Sequence, residues 1–303
     1  MTEASLLLVL GGPTASGKTE LAIRLAQRFQ TEIVSADSRQ FYREMKIGTA
    51  APDAHQLQLV KHHFVGNLSI FDTYDVATYE KEALLKINEL FEQHNVVILT
   101  GGSGLFIDAV CMGLDNMPDV ETHIRERVNQ MLLEKGISAL QIELQQVDPE
   151  YFAQVDQNNP RRLQRALEVY YQTGRSFSFY RKRQTVPRPF TFVRFTLSPD
   201  RLELINRINL RVEHMMTEGL LEEVRRLYPH RHLNALNTVG YKELFDYLDG
   251  KANLETAVNS IKVHTRQYAK RQMTWFRRNK DALWLAKPDF RAIISILGER
   301  FGL

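Results

Sequence analysis

Residues 10–27, "LGGPTASGKTELAIRLAQ", decide the fold. The apolar run Leu6–Leu10 reads as a buried strand and ends at Gly11 and Gly12. From about Lys18 to Phe29 the apolar residues return at helical spacing. Between strand and helix, Gly12, Pro13, Thr14, Ala15, Ser16, Gly17, Lys18 and Thr19 match G-x-x-x-x-G-K-[ST] in full, in the strand-to-helix context that gives this pattern its meaning. Glycines allow backbone N–H groups to turn inward around an anion, and the start of a helix adds positive potential. Lys18 is placed to reach an outer phosphate, and Thr19 to offer a hydroxyl to Mg2+.

Outward from this loop the alternation continues. Glu32–Val34 is a short strand ending in "SADSRQ", residues 46–75 are rich in loops, and Val76–His94 is helical. Val96–Leu99 is a third strand, ending in "TGGSGLF". Strands alternating with helices predict an α/β fold with a doubly wound parallel sheet. The pattern changes after "MGLDNMPD" (112–119). Glu121–Lys135, Ile137–Gln146 and Pro160–Thr173 read as helices with polar faces, and "FTFVRF" begins a strand over Phe190–Thr196. Helices follow at Asp200–Glu218, Leu220–Leu227, Tyr241–Leu248 and Leu254–Asn279. The expected organisation is a P-loop parallel-sheet core in two parts, 1–116 and 189–303, around a helical insertion domain, 117–188.

The chain has 303 residues, 44% of them apolar, enough for a sizeable core. No apolar run is long enough to span a membrane, and no basic region precedes Leu6–Leu10 as in a signal peptide. Cys111 is the only cysteine, which excludes a disulfide framework and a cysteine metal site and suits a reducing cytoplasm. The net charge is only +3, but it is unevenly distributed. Residues 161–188 hold eight basic residues (Arg161, Arg162, Arg165, Arg175, Arg181, Lys182, Arg183 and Arg188) against the single acid Glu168. Residues 261–280 hold seven (Lys262, Arg266, Lys270, Arg271, Arg277, Arg278 and Lys280) against none. Two such segments fit a polyanionic partner such as nucleic acid; solvated helix faces are the other reading of charge runs.

The loop implies a phosphate but does not say what becomes of it. Phosphoryl transfer normally needs a second acid at a nearby strand end to hold Mg2+ or a water. Here the third strand ends in Thr100-Gly101-Gly102, and the only strand-end acid is Asp37. Asp37 follows a strand beside the loop, at the carboxyl edge of the sheet where ligands bind. It can serve as a general base toward a nucleophile, or, with Ser38 and Gln40, as a cap on a following turn. The pattern alone leaves both open. Ser103 can point a hydroxyl into the same crevice. The adjacent His62 and His63 are poorly spaced to ligate one metal and suit a structural role.

Taken together, "GPTASGKTELA", "SADSRQFYREMKIGTA", "KHHFVG", "TGGSGLF", "RRLQRALEVY", "NTVGYKEL" and "TRQYAKRQMTWFRR" resemble the tRNA dimethylallyltransferases, in order from residue 6 to residue 279. The phosphate loop is shared by many families; "SADSRQ" and "AKRQMTWFRR" are far more specific. The resemblance implies transfer of a dimethylallyl group from dimethylallyl diphosphate to N6 of adenosine 37 in tRNA. It implies a P-loop core whose helical insertion grips the anticodon stem-loop. The loop then holds a diphosphate leaving group, which accounts for the missing acid, though it also tolerates the phosphates of a nucleotide such as ATP. By the same resemblance, Asp37 accepts the N6 proton, Ser103 sits beside the adenine, Arg125 stabilises the departing diphosphate and Thr19 touches Mg2+. Arg125 in "HIRERV" also reads, without the resemblance, as one exposed arginine on a polar helix.

The implied tRNA contacts are Asp37, Ser38, Arg39, Gln40, Ser103 and Arg125. To these are added Arg161, Arg162, Leu163, Gln164 and Arg165, and Asn237, Thr238, Val239, Gly240, Tyr241 and Lys242. Arg266, Lys270 and Arg277 would meet phosphates, whereas Tyr268 and Trp275, at helical spacing, suit the core better than base stacking. Gln40, with Arg39, is placed to fill the space left by the extruded base or to steady the loop. The expected partners are the tRNA anticodon stem-loop and dimethylallyl diphosphate, with no membrane, for a cytoplasmic monomer. Three positions depart from the family pattern: Ser103 stands for a threonine, Ala51 for a lysine in "GTAKP", and Asn158–Pro160 ("NNP") for "PND". A P-loop kinase, an enzyme that prenylates free AMP and a nucleotide-regulated RNA-binding protein are the competing readings. The first two do not explain both basic segments, and the third does not explain a carboxylate facing an RNA anion.

Overall fold

The computed structural model describes residues 5–182 and 184–303, so Arg183 lies outside the described residues. The chain divides into two compact units, Met1–Cys111 with Arg188–Leu303, and Met112–Pro187. The first unit opens with β1 (Leu6–Gly11), α1 (Lys18–Phe29), β2 (Ile33–Ser35), α2 (Ala54–Leu59), β3 (His62–His63), α3 (Val76–Phe91), β4 (Val96–Gly101) and α4 (Gly104–Met112). The second unit holds α5 (Thr122–Val147), α6 (Pro149–Phe152), α7 (Pro160–Thr173) and α8 (Phe177–Tyr180). The first unit resumes with β5 (Thr191–Leu197), α9 (Arg201–Thr217), α10 (Leu220–Leu227), α11 (Tyr241–Leu248), α12 (Leu254–Phe276), β6 (Leu283–Leu285) and α13 (Phe290–Phe301).

The six strands form one parallel sheet in the order β3-β2-β4-β1-β5-β6. β1 lies inside it and is buried throughout, as its unbroken apolar sequence requires of a strand covered on both faces. Leu6, Leu8 and Leu10 pack on one face with α1 and α13, while Leu7 and Val9 pack on the other with α3, α4 and Phe41. Each leucine taken out of water contributes roughly 1.5–3 kcal/mol, so the strand that carries the phosphate loop is firmly anchored. A third cluster joins α9, α10, α11 and α12 to Tyr42 and Met45.

The α/β, parallel-sheet reading holds, with more elements than the periodicity predicts. The stretch read as loops contains α2, started by a reciprocal Asp53–Gln56 capping box, and β3, where Glu32 reaches His63 at 2.5 Å. β3 and β6 are too short for a period to register. Gly136, at φ 72°, breaks the run assigned to α5 where two helices were expected. In the second unit Val128, Leu140 and Leu144 of α5 pack with Leu163, Ala166 and Leu167 of α7. The "NNP" departure still caps α7: Asn159 accepts the Arg162 N–H at 3.3 Å, and Pro160 occupies the first turn, where a missing N–H costs nothing.

Candidate active site

The site grows from the ends of β1, β2 and β4. The loop after β1 passes through Ala15 at φ 61°, a conformation uncommon for a side-chain-bearing residue. It ends at Gly17, which starts α1 without a side-chain cap. The first N–H groups of α1 are therefore not satisfied by a capping side chain, as an anion-binding helix start requires. Lys18 folds back so that Nζ donates to the Pro13 carbonyl at 2.6 Å. Two distant helices tie the loop at Thr14. Its N–H donates to Gln272 Oε1 of α12 at 2.9 Å, and Arg211 of α9 donates to its hydroxyl at 2.9 Å.

Asp37 is delivered by the neighbouring strand ends. The Ala36 N–H donates to the Thr100 carbonyl at 2.7 Å, and the Ser103 N–H to the Ala36 carbonyl at 3.1 Å. The two chains come so close that a β-carbon on Gly101 would lie 2.1 Å from the Ala36 oxygen, so only glycine fits there. Asp37 Oδ1 accepts the Arg39 N–H at 3.2 Å, a local turn rather than a helix cap. The Ser103 hydroxyl accepts the Ser38 N–H at 3.0 Å and donates to the Ser38 hydroxyl at 3.1 Å, bracing that turn.

A cavity of about 230 Å³ is lined by Thr14–Thr19 together with Asp37, Gln40, Arg211 and Gln272. A smaller one of about 90 Å³ shares Thr14, Asp37, Thr49, Ala50 and Arg211 with it and adds Arg39, Val239 and Tyr268. Asp37 thus stands in the wall common to both. Burial dominates the electrostatics. It raises the Asp37 carboxyl above its ordinary range, against the Arg39 N–H and the charges of Lys18, Arg211 and Arg39. It lowers Lys18 to about 7, against Asp37 and helped by Arg211. Burial lowers Arg211 as well.

Among the described residues no group of three or more His, Cys, Asp or Glu side chains could cage a metal. Mg2+ needs no such cage when substrate phosphates and water complete its octahedron. The Thr19 hydroxyl, on the wall of the larger cavity, is a hard oxygen donor such an ion accepts.

The other expected contacts are spread over both units. Gln40 donates from Nε2 to the Ala50 carbonyl at 3.0 Å and the Thr49 carbonyl at 3.3 Å, and so steadies the loop. Arg39 donates to the Ala235 carbonyl at 3.0 Å. Asn237 and Lys242 are exposed, while Thr238, Val239 and Gly240 line the smaller cavity. In the second unit Arg125, Arg161 and Arg162 are exposed, Gln164 bonds Asn129, and Arg165 reaches the Pro118 carbonyl. Two expected tRNA contacts turn inward instead. Leu163 is fully buried against α5, and Tyr241 is fully buried with its phenol donating to Glu223 at 2.7 Å. Neither side chain can touch a ligand; a contiguous segment on a helix necessarily puts some residues on the packed face.

Tyr268 also departs from its expected core role. It lines the smaller cavity, with its phenol raised by burial and by the Asp37 charge. Trp275 is structural, donating to Asp108 at 2.7 Å. Arg211 and Gln272 were not foreseen. Arg211 is one arginine among many on a helix. Gln272 carried a signal: it is polar on the buried stripe Ala269, Gln272 and Phe276.

The family model for IPP transferase matches residues 40–279. A tRNA dimethylallyltransferase 1 of Bacteroides fragilis is 48% identical over 294 residues, 97% of this chain and 98% of its own. The crystal structure of a tRNA isopentenylpyrophosphate transferase of Bacillus halodurans superposes with a TM-score of 0.70 at 35% identity, covering 97% of this chain and 95% of that one. A eukaryotic dimethylallyltransferase acting on tRNA superposes with a TM-score of 0.78 at 25% identity, covering 97% and 76%.

Proposed function

The chain belongs to the IPP transferases, the family of the tRNA dimethylallyltransferases, and from that premise we propose how its own residues divide the work. Gly12–Thr19 hold the diphosphate of dimethylallyl diphosphate through backbone N–H groups. Lys18 and Arg211 meet its charge, and the Thr19 hydroxyl would hold Mg2+. The metal, when bound, draws electron density from the diphosphate and makes it a better leaving group. Asp37 accepts the proton of the N6 amine of adenosine 37. The N6 lone pair forms the bond to the first prenyl carbon as the carbon–oxygen bond breaks, and that electron pair leaves with the diphosphate. An exocyclic amine is a poor nucleophile, so loss of its proton as the bond forms lowers the barrier. Arg125 is the residue that the family resemblance assigns to stabilising the departing diphosphate.

On the RNA side, Ser38, Arg39, Gln40, Ser103 and the residues Thr238, Val239 and Gly240 form the slot for the extruded base. Unstacking a loop nucleotide to reach it costs about a few kcal/mol. Arg161, Arg162, Gln164 and Arg165 face the anticodon stem-loop. The observation that carries this reading is that Asp37 shares the walls of both cavities with the phosphate loop while β4 brings no second acid. A phosphoryl-transfer enzyme lacks an equally simple explanation for that arrangement.

The test supplies labelled dimethylallyl diphosphate, Mg2+ and unmodified tRNA carrying A36-A37-A38, with AMP and ATP as competing acceptor and donor. Label is expected in tRNA. Asp37→Asn is expected to lower transfer by about 10²–10⁴-fold and to leave affinity for inorganic diphosphate within about twofold. Because Asp37 works as the carboxylate and its folded value is raised, activity is lost on acidification already above the ordinary carboxylate range. Modification of AMP with tRNA unlabelled, or consumption of ATP, overturns the reading.

A further inference from the structure

α10 carries a carboxylate where packing alone calls for an apolar side chain. Glu223 is 2% exposed, among the buried residues Leu220, Leu221, Val224 and Leu227. An unpaired carboxylate in such a place is strongly unfavourable. Among the described residues Glu223 has no cationic partner; three neutral donors hold it. Its Oε2 accepts the Ile47 N–H at 2.9 Å, and its Oε1 accepts the Gly48 N–H at 2.9 Å and the Tyr241 hydroxyl at 2.7 Å.

Those donors belong to two segments that meet at the crevice. Gly48, Thr49 and Ala50, and Thr238, Val239 and Gly240, all line the cavity that contains Asp37. The first segment receives the Gln40 amide on the Thr49 and Ala50 carbonyls. The second runs directly into Tyr241, whose ring packs so tightly on the first that a β-carbon at Gly48 would lie 2.6 Å from it. A second buried carboxylate, Glu243, completes the joint by accepting the Gly240 N–H at 2.7 Å. Thr14 is tied by Gln272 and Arg211, so none of its bonds passes through Glu223.

We propose that Glu223 is a positioning residue for the RNA side of the reaction. Through the Ile47 and Gly48 amides and the Tyr241 phenol it sets the spacing between the two segments that receive the target nucleoside. It touches neither substrate. The proposal rests on the reading of this site as one that prenylates tRNA, and it names a carboxylate of α10 as the clamp of the nucleoside slot.

Glu223→Gln tests it, because the amide keeps the shape but turns an NH2 toward an N–H or the phenol. Transfer is measured with tRNA varied at saturating dimethylallyl diphosphate, and inorganic diphosphate binding is measured alongside by calorimetry. The tRNA KM is expected to rise about tenfold or more, as loss of hydrogen bonds to a charged group implies, with diphosphate affinity within about twofold of wild type. Gly48→Ala drives the same loop off Tyr241 with the carboxylate intact and is expected to give the same split. Tyr241→Phe keeps the packed ring, removes one of the three bonds and is expected to give a smaller rise in KM. The proposal is overturned if Tyr241→Phe and Gly48→Ala leave the tRNA KM unchanged. It is equally overturned if diphosphate affinity falls as far as the tRNA KM rises, which marks a merely structural role. A wild-type protein that transfers nothing to tRNA overturns the parent reading, and this one with it; an active wild type with unaffected variants overturns this one alone.

Discussion

The two walls of the crevice are built in opposite ways. The wall that carries the glycine-rich loop is one unbroken stretch, Gly12–Thr19, running into the start of α1, where no side chain caps the helix. The facing wall is assembled from single side chains: Asp37 after β2, Arg211 on α9, and Tyr268 and Gln272 on α12. Local sequence fixes the first, and the fold has to bring the second together. Burial acts on both, lowering Lys18 and raising Asp37. The mutual attraction of the two groups does not offset their desolvation. Each group is thereby pushed toward its neutral form, until a diphosphate adds the negative charge that Lys18 and Arg211 are placed to meet.

The largest effect expected from breaking this arrangement comes from the assembled wall. Arg211→Gln removes a half-buried charge and its bond to the Thr14 hydroxyl. Loss of a charge-stabilising donor of this kind lowers kcat by about 10²–10³-fold. Thr14→Val removes the same hydrogen bond but keeps the guanidinium, and a loss of only severalfold is expected, in line with about 1 kcal/mol for one hydrogen bond. Single-turnover rates separate the two. Equal losses in both variants mean that Arg211 only braces the loop, and the walls are then less distinct than the geometry suggests.

The same contrast explains what was legible in the sequence. β1, the phosphate loop and α1 were readable almost to the residue because pattern and structure share one short span. Asp37 was readable as a strand-end acid, but its setting was not: the local turn closed by the Arg39 N–H and its place in both cavity walls depend on the folded chain. Arg211 was invisible because nothing local distinguishes it from other helix arginines. Gln272 left a trace, a polar residue on an apolar stripe, that becomes interpretable only once Gly102 is seen to accept from it and Thr14 to donate to it. Leu163 and Tyr241 show the converse. Each lies inside a segment expected to face tRNA, yet helical periodicity turns each into a core.

Lys18 sharpens the comparison through pH. In the bare site it titrates near 7, whereas a bound diphosphate holds the lysine protonated. Below pH 7 both states carry the proton. Above it, binding has to take a proton up, so the affinity advantage of wild type over Lys18→Met falls by up to about tenfold per pH unit toward 10.5. Calorimetry of diphosphate binding in buffers of different ionisation enthalpy checks the proton count, and the Lys18→Met control removes the ligand's own titration. Folding stability of the bare protein moves the other way. The unfolded lysine keeps its proton above pH 7 and the folded one does not, so this group's contribution to stability rises with pH between about 7 and 10.5. Flat affinity across that window means Lys18 is already charged in the bare site.

The smallest effect separates two neighbours in the second unit. Arg162 is exposed in the first turn of α7, where there is no acid, and Leu163 beside it is buried. A cation at a helix N-terminus is disfavoured by the macrodipole, by about 0.3–1 kcal/mol at an exposed site. If Arg162 meets a tRNA phosphate, Arg162→Ala weakens tRNA binding and reduces the slope of log K against log salt by about 0.7–0.9. The same change slightly stabilises the folded chain by relieving the dipole. Leu163→Ala does the opposite: it costs about 2–5 kcal/mol of stability and leaves the salt slope unchanged in the protein that remains folded. Filter binding across a salt series and chemical denaturation read both signs. Arginine retained against its own helix's field is the pattern expected of a residue kept for a ligand, and an unchanged salt slope in Arg162→Ala removes that explanation.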